Sequence, residues 1–250
     1  MRLELNLNKQ EIRQEIIQQI FQELSFDTRD AYIVSLPADC WIFEEELIAM
    51  LQGHFPEKQF TLHCFENELA RFNSTLQKES DNELPFVVDR RENYFMSGSN
   101  ENVKVIYQYG NLDMESTNPK KDEKFIAWND FCGIPYRDRG VNLLAKMLEQ
   151  KRDALIYQTH SVSLRNYVCA TRLHDGVVPE MKLMPGHPHY NGIAFANYFN
   201  DGRRMQKMPR AEVYYNVYKG GALSHNPMMT IGWRTGTKNV SHIEKVDKEY

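Results

Sequence analysis

Five residues of this 250-residue chain stand directly after short apolar runs and carry groups able to do chemistry: Asp39, Glu66, Asp113, Asp130 and His160. A carboxylate can accept hydrogen bonds from two hydroxyls at once, or take up a proton during a reaction. Asn129 stands beside Asp130, and its carboxamide can help to orient a hydrogen-bonding partner; the plainer reading is an ordinary polar residue on the alternate face of the strand. Other candidates carry less. Cys132 would need an activated thiolate to act as a nucleophile, and no basic partner is apparent in the sequence. It reads as a buried small hydrophobe. Cys169, His174, His187 and His189 lack the tight paired spacing of a structural zinc site, so the reading is a solvated loop with no metal.

The elements that must position these residues follow from periodicity. Ile12, Ile16, Ile17, Ile20, Phe21 and Leu24 form a helical apolar stripe, with Asn8 and Glu11 at capping-box spacing before it. From Ala31 the pattern changes. Ala31 to Leu36 predicts a buried strand ending at Pro37, and Asp39 falls where the cap of the next helix belongs. That helix carries Ile42, Phe43, Leu47, Met50 and Leu51. Phe60 to Glu66 predicts a second strand, and Leu69, Phe72 and Leu76 mark its helix. Val103 to Tyr109, Lys124 to Phe131 and Ala154 to Thr159 predict three more strands. Val141, Leu144, Ala145 and Leu148 form a helix before the last of these. Alternation of this kind implies crossover connections and a parallel sheet, with ligands at the C-terminal ends of its strands.

The last quarter differs. Residues 174 to 190 are rich in His, Pro and Gly and read as a long loop, and Ile193 to Phe199 as a short helix. Ala211 to Tyr218 and Met228 to Trp233 predict an antiparallel hairpin at the sheet edge. Arg165, Arg172, Arg203, Arg204, Lys207 and Arg210 are interleaved with Tyr190, Phe195, Tyr198 and Phe199. Arginines can neutralise phosphates while aromatic rings stack on bases, so a nucleic-acid surface is one reading of this stretch. Aromatics at helical spacing also build cores, which is the other.

Composition bounds these readings. Hydrophobic residues make up 42% and charged residues 26%, as in a globular chain. No apolar run reaches the roughly 20 residues needed to span a bilayer. The segment Met1 to Gln10 has no apolar stretch like that of a secretory leader. Four scattered cysteines fit reduced thiols in a cytoplasmic protein. A net charge of −4 argues against a generally basic surface, while leaving room for a local basic groove.

Five alternating strands and a closing hairpin resemble the class I S-adenosylmethionine-dependent methyltransferase fold, over roughly residues 9 to 235. The resemblance implies a Rossmann-like α/β domain over 1–235, with a mostly parallel seven-stranded sheet and an antiparallel C-terminal hairpin. A polar tail follows over 236–250. Glu66, in CFENE, stands where that family places an acid on the cofactor's ribose, and from its own position it could equally cap the helix that begins near Asn67. Asp113, in YGNLDM, stands where it often places one near the adenine. Asp39 falls in the first cofactor loop. Asn129 to Pro135 (NDFCGIP) is similar to the Asp-Pro-Phe-Gly-x-Pro catalytic loop of tRNA guanine-N2 methyltransferases. Asp130 and Asn129 are therefore the implied catalytic pair, S-adenosylmethionine the implied cofactor, and a nucleic-acid nitrogen the implied methyl acceptor. One departure is visible. The loop LPADCWIF, residues 36 to 43, has no glycine where the family has a glycine-rich turn. That favours the alternative, a catalytically inactive methyltransferase-like domain serving as a binding or assembly subunit with a protein partner.

Overall fold

The computed structural model describes residues 7–37, 41–80, 83–112, 117–130, 153–161, 210–219 and 227–235. Contacts divide the chain into two compact units, Arg13–Trp128 and Met1–Ile12 with Asn129–Tyr250. The elements in chain order begin with α1 (Leu7–Phe26), β1 (Ala31–Ser35), α2 (Ile42–His54), β2 (Phe60–Glu66) and α3 (Leu69–Ser80). They continue with β3 (Val87–Glu92), β4 (Phe95–Asn100), β5 (Val103–Tyr109), β6 (Lys124–Asp130), β7 (Ala154–Ser161), β8 (Arg210–Lys219) and β9 (Pro227–Thr235).

In the unit Arg13–Trp128 the strand order is β3-β4-β5-β2-β1-β6. β5, β2, β1 and β6 are parallel, with Ser35 aligned to Cys64 on one side and to Trp128 on the other. β1, β2 and β6 are buried almost throughout, which is why they read as mostly apolar runs, whereas β5 alternates buried with less buried residues. The chain moves outward from β1 to β2 to β5 and then returns to the other side of β1 as β6. This reversal is a topological switch point, and in such sheets ligands bind beyond the C-terminal strand ends there.

Helices cover this sheet through specific contacts. Phe43 of α2 meets Trp128 edge-on, with centroids 4.2 Å apart. Phe72 of α3 stacks on Tyr107 at 4.9 Å. The α1 residues Ile16, Ile20 and Leu24 are fully buried, as their helical spacing predicts. At the opposite end from the switch-point crevice, Lys124 at the start of β6 is buried and meets Glu23 of α1 at 2.6 Å.

In the other unit β9 lies between β7 and β8 and is antiparallel to both. The expected hairpin is therefore present. Thr159 and Thr230 share a buried hydroxyl–hydroxyl hydrogen bond of 2.8 Å between β7 and β9.

Three sequence expectations need correction. Asn8 lies inside α1, because the helix already includes Leu7. Trp41, not Asp39, holds the cap position of α2, and it makes no side-chain capping bond. His160 is part of β7 rather than beyond it. The hairpin β3–β4 is an addition, joined antiparallel to β5. The helices expected near 141–148 and 193–199 fall outside the described residues. Among the described residues no helix is long and apolar enough to cross a membrane.

Candidate functional site

The crevice side of the sheet begins at the end of β1. Ser35 is buried there, and its Oγ donates a hydrogen bond to Oε1 of Glu44 in the first turn of α2. A carboxylate suits this place, because the helix N-terminus presents unpaired N–H groups and a partial positive charge. Cys64 of β2 lies beside the pair and is fully buried. Burial pushes its thiol well above the usual range, and the nearby Glu44 adds to the effect.

The loop between β1 and α2 has no glycine, yet it needs one left-handed residue. Trp41 takes that conformation at φ 54°. Such a backbone is costly for a bulky residue and persists only where packing holds it. The packing is visible: the indole lies 5.1 Å from Tyr107 and 5.6 Å from Phe86, centroid to centroid, and is buried. Asp39 lies in the same loop, outside the described residues.

Glu66 closes β2 and is 6% exposed. Its Oε1 accepts a hydrogen bond from the backbone N–H of Glu68 at 2.7 Å, just before α3 begins. Its own carbonyl accepts from Gly110 N–H at 2.8 Å, which joins the ends of β2 and β5. Burial pushes the Glu66 carboxyl above the ordinary carboxylate range, opposed by the Glu68 amide and by Arg71. The residue thus combines a structural role at the helix start with a carboxylate at the strand end. Asp113, beyond β5, is outside the described residues.

Asn129 and Asp130 close β6 in the unit containing the chain's two ends. Asn129 is fully buried, and neither polar atom of its carboxamide has a hydrogen-bond partner among the described residues. Asp130 Oδ2 meets the ammonium of Lys9, from the first turns of α1, at 2.5 Å. Asp130 Oδ1 is buried with no partner among the described residues. Side chains alternate along a strand, so these neighbours point to opposite faces of β6.

Lys9 is the residue that sequence reasoning missed. It sits in a polar stretch of α1, and no local pattern links it to a strand end so distant in the chain. Cys132, the His-containing stretch 174–190 and the basic aromatic residues 165–209 lie outside the described residues. Among the described residues no group of three His, Cys, Asp or Glu side chains could hold a metal ion.

No family model matches the chain, and no curated protein matches it in sequence. Solved structures with similar folds include a protein of the NADB-Rossmann superfamily from Streptococcus agalactiae, at 9% identity and TM-score 0.41. That likeness covers 90% of this chain and 69% of the other. Trm5b from Pyrococcus abyssi is similar at 10% identity and TM-score 0.45, over 89% of this chain and 48% of that one. A DszA carbon methyltransferase is similar at 11% identity and TM-score 0.45, over 92% and 55%. The chain spans about half the length of the last two. Its own strands carry the fold assignment: four parallel strands about a switch point make one unit a Rossmann-like α/β arrangement, and the other unit holds an antiparallel terminal hairpin.

Proposed function

We propose that the chain is an S-adenosylmethionine-dependent methyltransferase that methylates a nitrogen of a nucleic acid. The observation that carries this reading is Glu66, a nearly buried carboxylate on the last residue of β2, beside the switch point of a parallel sheet. An acceptor-only group there suits the paired hydroxyls of a ribose. When bound, S-adenosylmethionine supplies an electrophilic methyl group. Glu66 would hold its ribose, and Asp39 and Asp113 would complete the cofactor contacts. Asp130 would accept a hydrogen from the acceptor's amine. Holding the amine in line with the methyl supplies most of the acceleration in such reactions, so orientation is the main task of Asp130. The arginines and aromatic residues between Arg165 and Arg210 would meet phosphates and bases.

A second reading has its own observation. The glycine-free loop after β1 holds a buried Trp41, and Glu44 already occupies the first turn of α2. A domain that has exchanged cofactor for such packing would act as a binding or assembly subunit. Calorimetry with S-adenosylmethionine separates the two. Saturable binding at micromolar to millimolar ligand is expected. No heat of binding at millimolar ligand overturns the enzyme reading and leaves the subunit reading standing.

A further inference from the structure

The ion pair between Lys9 and Asp130 joins the first helix to the strand end that would face the methyl acceptor. Two features set it apart from an ordinary surface pair. Asp130 is only 12% exposed and Lys9 25%, so the contact is partly desolvated. Lys9 also stands in the first turn of α1, which contains no acidic residue. A cation at a helix N-terminus opposes the helix dipole. Pairing with Asp130 offsets that unfavourable placement. The two carboxylate oxygens are then distinguished. Oδ2 is held by the ammonium, while Oδ1 is buried with no partner among the described residues.

We propose that Lys9 is a positioning residue of the acceptor site: it holds Asp130 by one oxygen so that the other faces the acceptor's N–H. This rests on the methyltransferase reading above and makes α1 a part of the site rather than a cover for it. A carboxylate tied at one oxygen loses rotation about its terminal bond. Its second oxygen then presents a fixed direction to an incoming amine, whereas an untethered carboxylate would sample many. The acceptor class that fits is a nitrogen carrying at least one hydrogen, such as an exocyclic amine. A tertiary ring nitrogen would have no hydrogen for Oδ1 to receive.

The test compares wild type, Lys9→Met and Lys9→Arg in the full chain. Calorimetry with S-adenosylmethionine comes first, and absence of binding to wild type removes the methyltransferase reading and this proposal with it. Methyl transfer is then followed with tritiated S-adenosylmethionine and pooled small RNA, DNA and protein as acceptors. Lys9→Met is expected to lower kcat at least tenfold, with the KM for S-adenosylmethionine within twofold of wild type. Lys9→Arg is expected to restore most of the loss, because it keeps the cation. A second readout needs no turnover. In aspartate-13C-labelled protein, the Asp130 carboxyl resonance, assigned by its absence in Asp130→Asn, should move in Lys9→Met and return in Lys9→Arg. Undiminished or raised transfer in Lys9→Met overturns the proposal, since a rise would mean that Lys9 blocks the site. An unmoved resonance overturns it as well. Failure of wild type to methylate any pool despite binding the cofactor overturns the methyltransferase reading and this proposal with it.

Discussion

Tyr32 Oη and His63 Nδ1 lie 2.6 Å apart on the adjacent strands β1 and β2, inside the sheet. The direction of each bond follows from its neighbours. His63 Nε2 lies 3.2 Å from Gln108 Oε1, an atom that only accepts, so the imidazole carries its hydrogen on Nε2. Nδ1 therefore accepts, and the Tyr32 hydroxyl donates to it. The hydroxyl in turn accepts from the Asn118 backbone N–H at 3.4 Å. Three parallel strands and the loop before β6 are tied by one chain of hydrogen bonds. It requires a neutral imidazole and a neutral phenol. Burial enforces both, lowering His63 from 6.5 to about 4 and raising Tyr32 to about 12.

Stability should therefore depend on His63 in acid. Its folded pKa lies below its unfolded one, so the unfolded chain binds more protons between pH 6.5 and about 4. The contribution is intact above pH 6.5 and falls away as pH drops through that window, by about 3 kcal/mol in total. Urea unfolding of wild type and His63→Gln at several pH values checks this. The variant keeps a hydrogen-bonding side chain but does not titrate. Equal slopes of stability against pH would show that His63 is not responsible.

Two glycines should respond oppositely to alanine. A Cβ on Gly98 would lie 2.0 Å from Val87 O and 2.7 Å from Phe86 Cδ2, at the β3–β4 pairing. The first clash is with backbone and cannot be relieved by a rotamer change. Gly98→Ala should cost about 1–3 kcal/mol or more and release β3 from β4. A Cβ on Gly53, in the last turn of α2, meets nothing within 4 Å. Gly53→Ala should stabilise by about 0.4–1 kcal/mol, mainly through the unfolded state. Chemical denaturation measures both, and hydrogen exchange at Val87–Glu92 reports the hairpin. Equal effects of the two variants would refute the argument.

The contrast between β2 and β3 shows what the sequence could disclose. Phe60–Glu66 and Val103–Tyr109 have the bounds read from sequence: the first because near-complete burial demands a mostly apolar run, the second because buried Val103, Val105 and Tyr107 alternate with less buried residues. Val87–Glu92 carries VVDRRE and is mostly exposed, so no core pattern marks it as a strand. It forms because β4 pairs with it, and Gly98 permits the close approach. Its charges suit an edge strand, which is why the same residues look like a loop in sequence. The candidate site divides in the same way. Glu66 and Asp130 were legible as strand-end acids, since strand ends follow from periodicity. The Lys9 partner depends on tertiary placement, which periodicity does not encode, whereas the bond from Glu68 N–H to Glu66 is the capping role that its place just before α3 suggests. Trp41 displaced Asp39 as the cap because packing against Tyr107 and Phe86 outweighs capping preference.

Lys124 and Glu23 should be unequal partners. The pair is 2.6 Å long, and Lys124 is 1% exposed while Glu23 is 11% exposed. Truncating the glutamate removes the carboxylate that faces a fully buried ammonium. Truncating the lysine leaves a carboxylate that keeps some access to water. Glu23→Ala should therefore destabilise by about 3–5 kcal/mol and Lys124→Met by clearly less. The double variant Glu23→Leu, Lys124→Met should recover most of the loss, since no charge then remains buried. Thermal and urea denaturation of the three variants gives the comparison. A Lys124→Met cost equal to that of Glu23→Ala would contradict the burial argument.

Glu66 should separate into a structural and a ligand-binding contribution. Its Oε1 accepts from Glu68 N–H at 2.7 Å, so Glu66→Ala should lower stability by about 1 kcal/mol through that bond. If the residue also holds a ribose, loss of a charged acceptor should weaken S-adenosylmethionine by about 1.5–3 kcal/mol, roughly 10- to 150-fold in Kd. Glu66→Gln distinguishes the two. Its amide oxygen can still accept from Glu68, so stability should stay near wild type, while the charge-assisted part of ligand binding is lost. The pH dependence adds a sign. Burial raises the Glu66 carboxyl, so it takes up its proton at higher pH than an exposed glutamate. Cofactor affinity should therefore weaken on acidification sooner than an ordinary carboxylate would predict, and Glu66→Gln should remove that dependence. Calorimetric titrations across the pH range supply the measurement. If Glu66→Gln binds S-adenosylmethionine as tightly as wild type at every pH, the carboxylate serves only the turn before α3, and the ribose assignment is lost.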